Sequence, residues 1–241
     1  MSSSKPSMDQ IKRKKVYGFL ATAFYEPSVN LVELLNNHNE WADIVLAVEE
    51  LCGAEGELIR ELPSTLAVKT KVETDSNEED RAGKNIKLFA PEELSAILQD
   101  LRVEYTRLFL GPEPPPCPPY ESVYDPNRPL EQKGTILGPA TMAMEELLRV
   151  EGLAITLEYA EYADHIAIEL ELMYYLLAKN AKQYSEHKPN IQSANSFLKS
   201  RLLPWLPDFG DKLANEAKHP FYRILGRLLT SIINSEGIRY A

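Results

Sequence analysis

The chain is short of cysteine, glycine and histidine, with two, 11 and four among 241 residues. Cys52 and Cys117 make neither a CxxC pair nor a zinc-ligand spacing. A disulfide framework and a structural zinc site are therefore not expected, and free thiols in a reducing compartment are the simpler reading. No GxxxxGK[ST] loop is present, and Gly111 runs into prolines that have no N–H to offer a phosphate. There is no GxSxG elbow for a serine nucleophile and no HExxH zinc helix, and the two ExxH motifs of a di-iron bundle are missing. No run of 18 apolar residues occurs, and the polar start MSSSKPSMDQIKRKK lacks the apolar stretch of a signal peptide, so a cytoplasmic location is expected. Positive charge is also scarce. The net charge is −10, and the densest basic run, Lys12-Arg13-Lys14-Lys15, is too short to attract nucleic acid. An acidic surface suits a basic partner instead.

What is present is helical periodicity. Val16, Phe19, Leu20, Ala23 and Phe24 fall on one stripe, which Pro27 closes. Trp41, Ile44, Val45, Val48, Leu51 and Cys52 form a second, weakened after Gly53 and Gly56 unless one of them breaks the helix. The segment beginning at Pro91 opens with two glutamates and carries Leu94, Ile97, Leu98, Leu101, Tyr105, Leu108 and Phe109 in phase. Ile166, Leu170, Met173 and Leu177 mark another helix, and further helices are predicted at 139–151, 190–203 and 219–235. Residues 63–90 read as an exposed acidic loop, with a small hairpin through LAVKTKV as the alternative. The fold class is all-α, a bundle of about nine or ten helices. A proline-rich hinge divides it into halves near 1–125 and 126–241, which have separate cores or one shared core.

One titratable constellation stands out. Asp164 and His165 open a helix on which Glu169 lies four residues beyond His165 and so on the same face, and Glu161 joins them if the helix starts early enough. A carboxylate–histidine group of this kind binds a metal or serves as a general base; the plainer reading makes Asp164 a helix cap and His165–Glu169 an inter-helix pair. Ser122 and Cys117 have no adjacent base in sequence and are weak nucleophile candidates. The stretch LFLGPEPPPCPPYESVYDPNRP, residues 108–129, is the other unusual feature. Its prolines fix an extended, stiff backbone, and a stiff strap bearing Tyr120, Glu121 and Tyr124 can line a groove at low entropic cost. The alternative is a purely structural strap with its tyrosines in the core.

Several motifs together resemble the TorD/DmsD family of redox-enzyme maturation chaperones. Tyr105, Leu108, Phe109, Gly111 and Pro112 match its Tyr-x-x-Leu-Phe-x-Gly-Pro pattern; Pro119, Tyr120, Glu121, Ser122 and Tyr124 match its Pro-Tyr-Glu-Ser-x-Tyr pattern. Asp164, His165, Glu169, Leu170 and Met173 match a third, in which Ala163 replaces the usual proline and Leu172 the usual phenylalanine. Trp205, Pro207, Phe221 and Tyr222 are similar to the C-terminal pattern, and the segment from Val16 to Ser28 to the first helix. The resemblance implies a cytoplasmic chaperone, not an enzyme. Its partner would be the twin-arginine signal peptide of a molybdopterin oxidoreductase precursor, held back from export while cofactor is inserted. It implies no cofactor of its own, although some relatives are reported to bind guanine nucleotides. The implied peptide site comprises Phe109, Gly111, Pro112, Tyr120, Glu121, Ser122, Tyr124, Asp164, His165 and Glu169. In it the carboxylates of Asp164, Glu169 and Glu121 meet the arginines, Tyr120 or Tyr124 offers a cation–π face, and Leu108 and Phe109 line an apolar groove. On this view Asp164→Ala weakens peptide binding by at least about tenfold and leaves the melting temperature within a few degrees. The competing readings are an assembly adaptor of a redox complex and a metal-dependent hydrolase using Asp164, His165 and Glu169. The client's identity stays open, as does the choice between a monomer and a domain-swapped dimer.

Overall fold

The structure is a computed structural model that describes residues 8–66, 89, 91–111, 114–156, 161–183 and 193–240. The described residues are all-α, with no strand beyond one isolated bridge, as the periodicity requires. Ten α-helices run in order: α1 Met8–Phe24, α2 Val29–Asn36, α3 His38–Cys52, α4 Pro91–Tyr105, α5 Glu121–Tyr124, α6 Pro139–Glu151, α7 Ile166–Gln183, α8 Ala194–Phe197, α9 Leu206–Glu216 and α10 Pro220–Tyr240. Both α4 and α8 end in a wider π-type turn, over Thr106–Leu110 and Leu198–Leu202.

Three helices escape the periodicity reading, one of them α5, a single four-residue turn. α2 has only eight residues, too few to display a repeat. α9 contains Pro207, which reads as a breaker but sits in the first turn, where its missing N–H costs nothing. The stripe that starts at Trp41 does break. Gly53 takes φ 61°, in the left-handed region, and the chain continues as a 3-10 helix over Gly53–Glu61. The first residues of the proposed acidic loop are not a loop. Pro63–Leu66 forms a further 3-10 turn with Pro63 and Leu66 buried. Residues 67–88 and 90, with most of the proposed loop or hairpin, lie outside the described residues.

α1 lies along α7, and α10 packs on α9, α3 and the 3-10 helix that follows α3. Elements from before and after the proline strap thus share one apolar cluster. Its aromatic centre joins Phe24 to Phe209 (5.7 Å between centroids), Phe209 to Phe109 (6.3 Å) and Phe109 to Tyr222 (5.8 Å). The basic run of α1 is spent internally. Arg13 is buried, and its Nε donates to Glu236 of α10 at 2.8 Å. Lys12 pairs with Glu50, Lys15 with Asp43, and Lys14 sits over the Tyr174 ring.

Candidate functional site

The strap ends by pairing with the start of α7. Ile166 N donates to Pro119 O at 2.9 Å and Glu121 N to Asp164 O at 3.0 Å, so Tyr120 and His165 face each other across one antiparallel bridge. The bridge gives the strap's backbone partners that its prolines cannot supply among themselves. Asp164 does cap a helix, but not its own: its Oδ2 accepts the Ser122 N–H at 3.0 Å, in the first turn of α5. α7 is capped instead by His165, whose Nδ1 accepts the Ala167 N–H at 3.2 Å. Asp164 and His165 are both buried, and burial lowers the imidazole to about 4 against the pull of Glu161 and Asp164. His165 is therefore a neutral spacer at physiological pH. Its ring contacts both Tyr120 (5.3 Å, edge-on) and Tyr25 (6.4 Å, stacked).

Glu169 points away from His165, toward the C-terminal helices. Its Oε2 accepts the Trp205 Nε1–H at 3.0 Å, and its Oε1 lies 3.8 Å from Arg201. The same guanidinium pairs with Glu121 and donates to Ala140 O at 2.9 Å. Burial raises the Glu169 carboxyl well above its ordinary value, and the adjacent Glu121 adds to the rise. Glu121 is raised by burial too, but its hydrogen bond with Glu169 and the Arg201 charge hold it back. Both shifts favour a proton held by the pair, more strongly at Glu169, while Arg201 stands beside Glu121. Arg128 completes the corner from below, with donors to the carbonyls of Ser122 (2.8 Å), Thr135 and Leu137.

Asp164, His165 and Glu169 therefore do not converge. Among the described residues, no group of three or more His, Cys, Asp or Glu is placed to hold a metal. Phe109 and Leu108 are core side chains, not the lining of an open groove. Gly111 ends the π-type turn of α4, its N–H on Thr106 O at 3.0 Å. Pro112 lies outside the described residues. Tyr124 packs against Trp205 and Phe209 and already has Lys212 over its ring. Cys117 is buried, and burial pushes its thiol up to about 12, which removes it as a nucleophile. At the surface beside the corner are Tyr162, Glu161 and, across His165, Tyr25 and Glu171. The hydroxyl of Tyr120 donates to Glu161 Oε2 at 2.5 Å, and that of Tyr25 to Glu171 Oε2 at 2.8 Å.

The family model described as nitrate reductase delta subunit matches residues 73–211, which span the strap, the whole of α7 and the Arg201–Trp205 turn. The chain belongs to this family. Its resemblance to TorD and DmsD is borne out by relatives of those names. The Tat proofreading chaperone DmsD of Salmonella typhi is 31% identical over 130 residues, 54% of this chain and 57% of that protein. The chaperone protein TorD of Aliivibrio fischeri is 29% identical over 136 residues (56% and 61%), and that of Vibrio cholerae El Tor Inaba 30% over 141 residues (57% and 60%). The chain thus matches less than two thirds of the length of these curated relatives. A solved structure described as a redox enzyme maturation protein from Archaeoglobus fulgidus aligns over 95% of this chain and 94% of its own, with a TM-score of 0.46 and 17% identity.

For this member of the nitrate reductase delta subunit family, the corner gives a stability test. Asp164→Ala leaves the buried Ser122 N–H without its acceptor, a loss of about 2 kcal/mol. The melting temperature is expected to fall by roughly 4–8 °C. Asp164→Asn keeps an acceptor oxygen and is expected to melt close to wild type. Equal melting temperatures for the alanine variant and wild type would show that Asp164 carries no structural load. The sequence reading expects near-equality; the burial of Asp164 argues against it. It also did not identify Arg201, Arg128 or Trp205 as partners of the corner, because they lie 6 to 80 positions from the groups they meet, in no recognisable pattern. The one available signal was that Glu169 falls on the apolar stripe of Ile166, Leu170 and Met173, where a carboxylate needs a partner.

Proposed function

We propose that this protein is a cytoplasmic chaperone that binds the twin-arginine signal peptide of a molybdopterin oxidoreductase precursor and delays its export while cofactor is inserted. One observation carries the reading: the chain is similar to chaperones named DmsD and TorD, and its family match contains the strap and the Asp164–Glu169 corner. The geometry agrees with binding rather than catalysis. The titratable groups of the corner are occupied in holding the strap on α7, and His165 is held neutral. What faces outward is aromatic and acidic, which suits a basic peptide. The described helices include none long and apolar enough to cross a membrane.

The test is purification of the tagged protein from its anaerobically grown host, with mass spectrometry of what accompanies it. A molybdoenzyme subunit that retains its twin-arginine leader is the expected result. Co-purification with only the mature, leaderless complex would replace the chaperone with an assembly adaptor. Absence of any molybdoenzyme under several growth conditions would overturn both.

A further inference from the structure

The contacts around His165 form a continuous array with a carboxylate at each end. Glu161 accepts the Tyr120 hydroxyl; Tyr120 meets the imidazole edge-on; Tyr25 stacks on the same ring; and the Tyr25 hydroxyl is donated to Glu171. Beyond Glu171 opens a groove of about 380 Å³ between the end of α1, α6 and α7, with Tyr25, Leu153, Ile155, Ile168 and Tyr174 on its walls. That volume is within the range of real ligand clefts. Resting on the chaperone reading, we propose that this array receives the two guanidinium groups of the leader, one at Glu161 and one at Glu171. The groove takes the apolar residues that follow the arginines.

Three observations point this way. Each carboxylate is partnered by a neutral tyrosine hydroxyl, a donor that a guanidinium replaces with two charge-assisted donors. Each tyrosine ring is anchored independently of that hydroxyl, Tyr120 by the bridge and Tyr25 by its stack on His165, so exchange leaves the corner intact. The spacer must be uncharged to stand between two cations, and a buried, neutral His165 is. The groove's chemistry fits as well. Tyr174 already holds a cation, Lys14, at 4.7 Å from its ring, and Tyr175 holds Lys179 at 5.6 Å; Lys179 is also paired with Glu151. Among the described residues, Glu171 is partnered by the Tyr25 hydroxyl and not by a cation.

The test is fluorescence anisotropy with a labelled synthetic peptide bearing consecutive arginines and an apolar run. Glu161→Gln and Glu171→Gln are each expected to weaken binding about tenfold, and the double variant about a hundredfold. Tyr25→Phe removes only the competing hydroxyl and is expected to bind at least as tightly as wild type. Changing either peptide arginine to lysine should weaken binding to wild type but cost less in the double variant, a coupling that simple surface charge would not give. Should a glutamine variant fail to fold, the lysine peptides on wild type make the same measurement: no loss there overturns the proposal. If the peptide binds wild type and both single variants equally, the array is not the receptor and the chaperone reading survives. If it fails to bind wild type at all, both fall.

Discussion

Gly226→Ala is expected to destabilise the protein by about 3 kcal/mol, a drop of roughly 6–12 °C in melting temperature. Gly226 lies where α10 crosses α9. A methyl group there would come within 2.5 Å of Gly210 O, 2.7 Å of Ala214 N and 3.2 Å of Ala214 Cα. All three atoms are backbone, so no rotamer change relieves the clash, and the two helices must separate along the length of their contact. The same crossing places Phe209 against Tyr124 and leaves Trp205 at the head of α9 within reach of Glu169. Loosening it therefore also loosens the wall behind the strap. Gly237→Ala, in the same helix, is the control. Its added methyl meets the Leu203 side chain at 2.8 Å, and a flexible side-chain end can turn away. Equal melting temperatures for the two variants would show that the α9–α10 contact is not close-packed.

Glu169→Ala is expected to cost a similar amount, about 3 kcal/mol, because it leaves the Trp205 N–H without an acceptor and opens a cavity in the core. Glu169→Gln is expected to behave quite differently. The amide keeps an acceptor for Trp205 and offers Glu121 a donor that does not titrate. The sign of the pH dependence follows from the raised carboxyl. Its folded form holds a proton that the unfolded form releases above its ordinary value, so the stability it contributes is full at acid pH and is lost as pH rises toward the folded value. The glutamine variant has no such loss, so its melting temperature should gain on wild type steadily from pH 5 to pH 9. Parallel curves would mean that Glu169 is ionised in the folded protein. His165 works in the other direction: its folded value of about 4 lies below the unfolded one, so its contribution is present above the unfolded value and lost as pH falls. Wild type is expected to be most stable between these two limbs.

Much of this protein is legible in its sequence, because helices are local. The stripes on α1, α3, α4, α7 and α10 follow from a repeat of apolar residues three and four apart, and the buried residues of those helices fall on them. The family is legible because its motifs are contiguous strings of residues. Within the candidate site, the structure brings Asp164, His165, Tyr120 and Ser122 together. Their roles were not legible. A sequence cannot say that Asp164 caps a helix 40 residues upstream, that Arg13 of a basic run is buried against Glu236, or that Phe109 faces the core and not a groove. Nor can it pair Glu161 with Tyr120 and Glu171 with Tyr25 around one imidazole. Periodicity and propensity act over one or two turns of chain and fix the elements. Burial, charge pairing and backbone approach act across space between segments far apart in the chain, so only the packed tertiary structure decides which carboxylates are consumed inside and which are left to meet a partner.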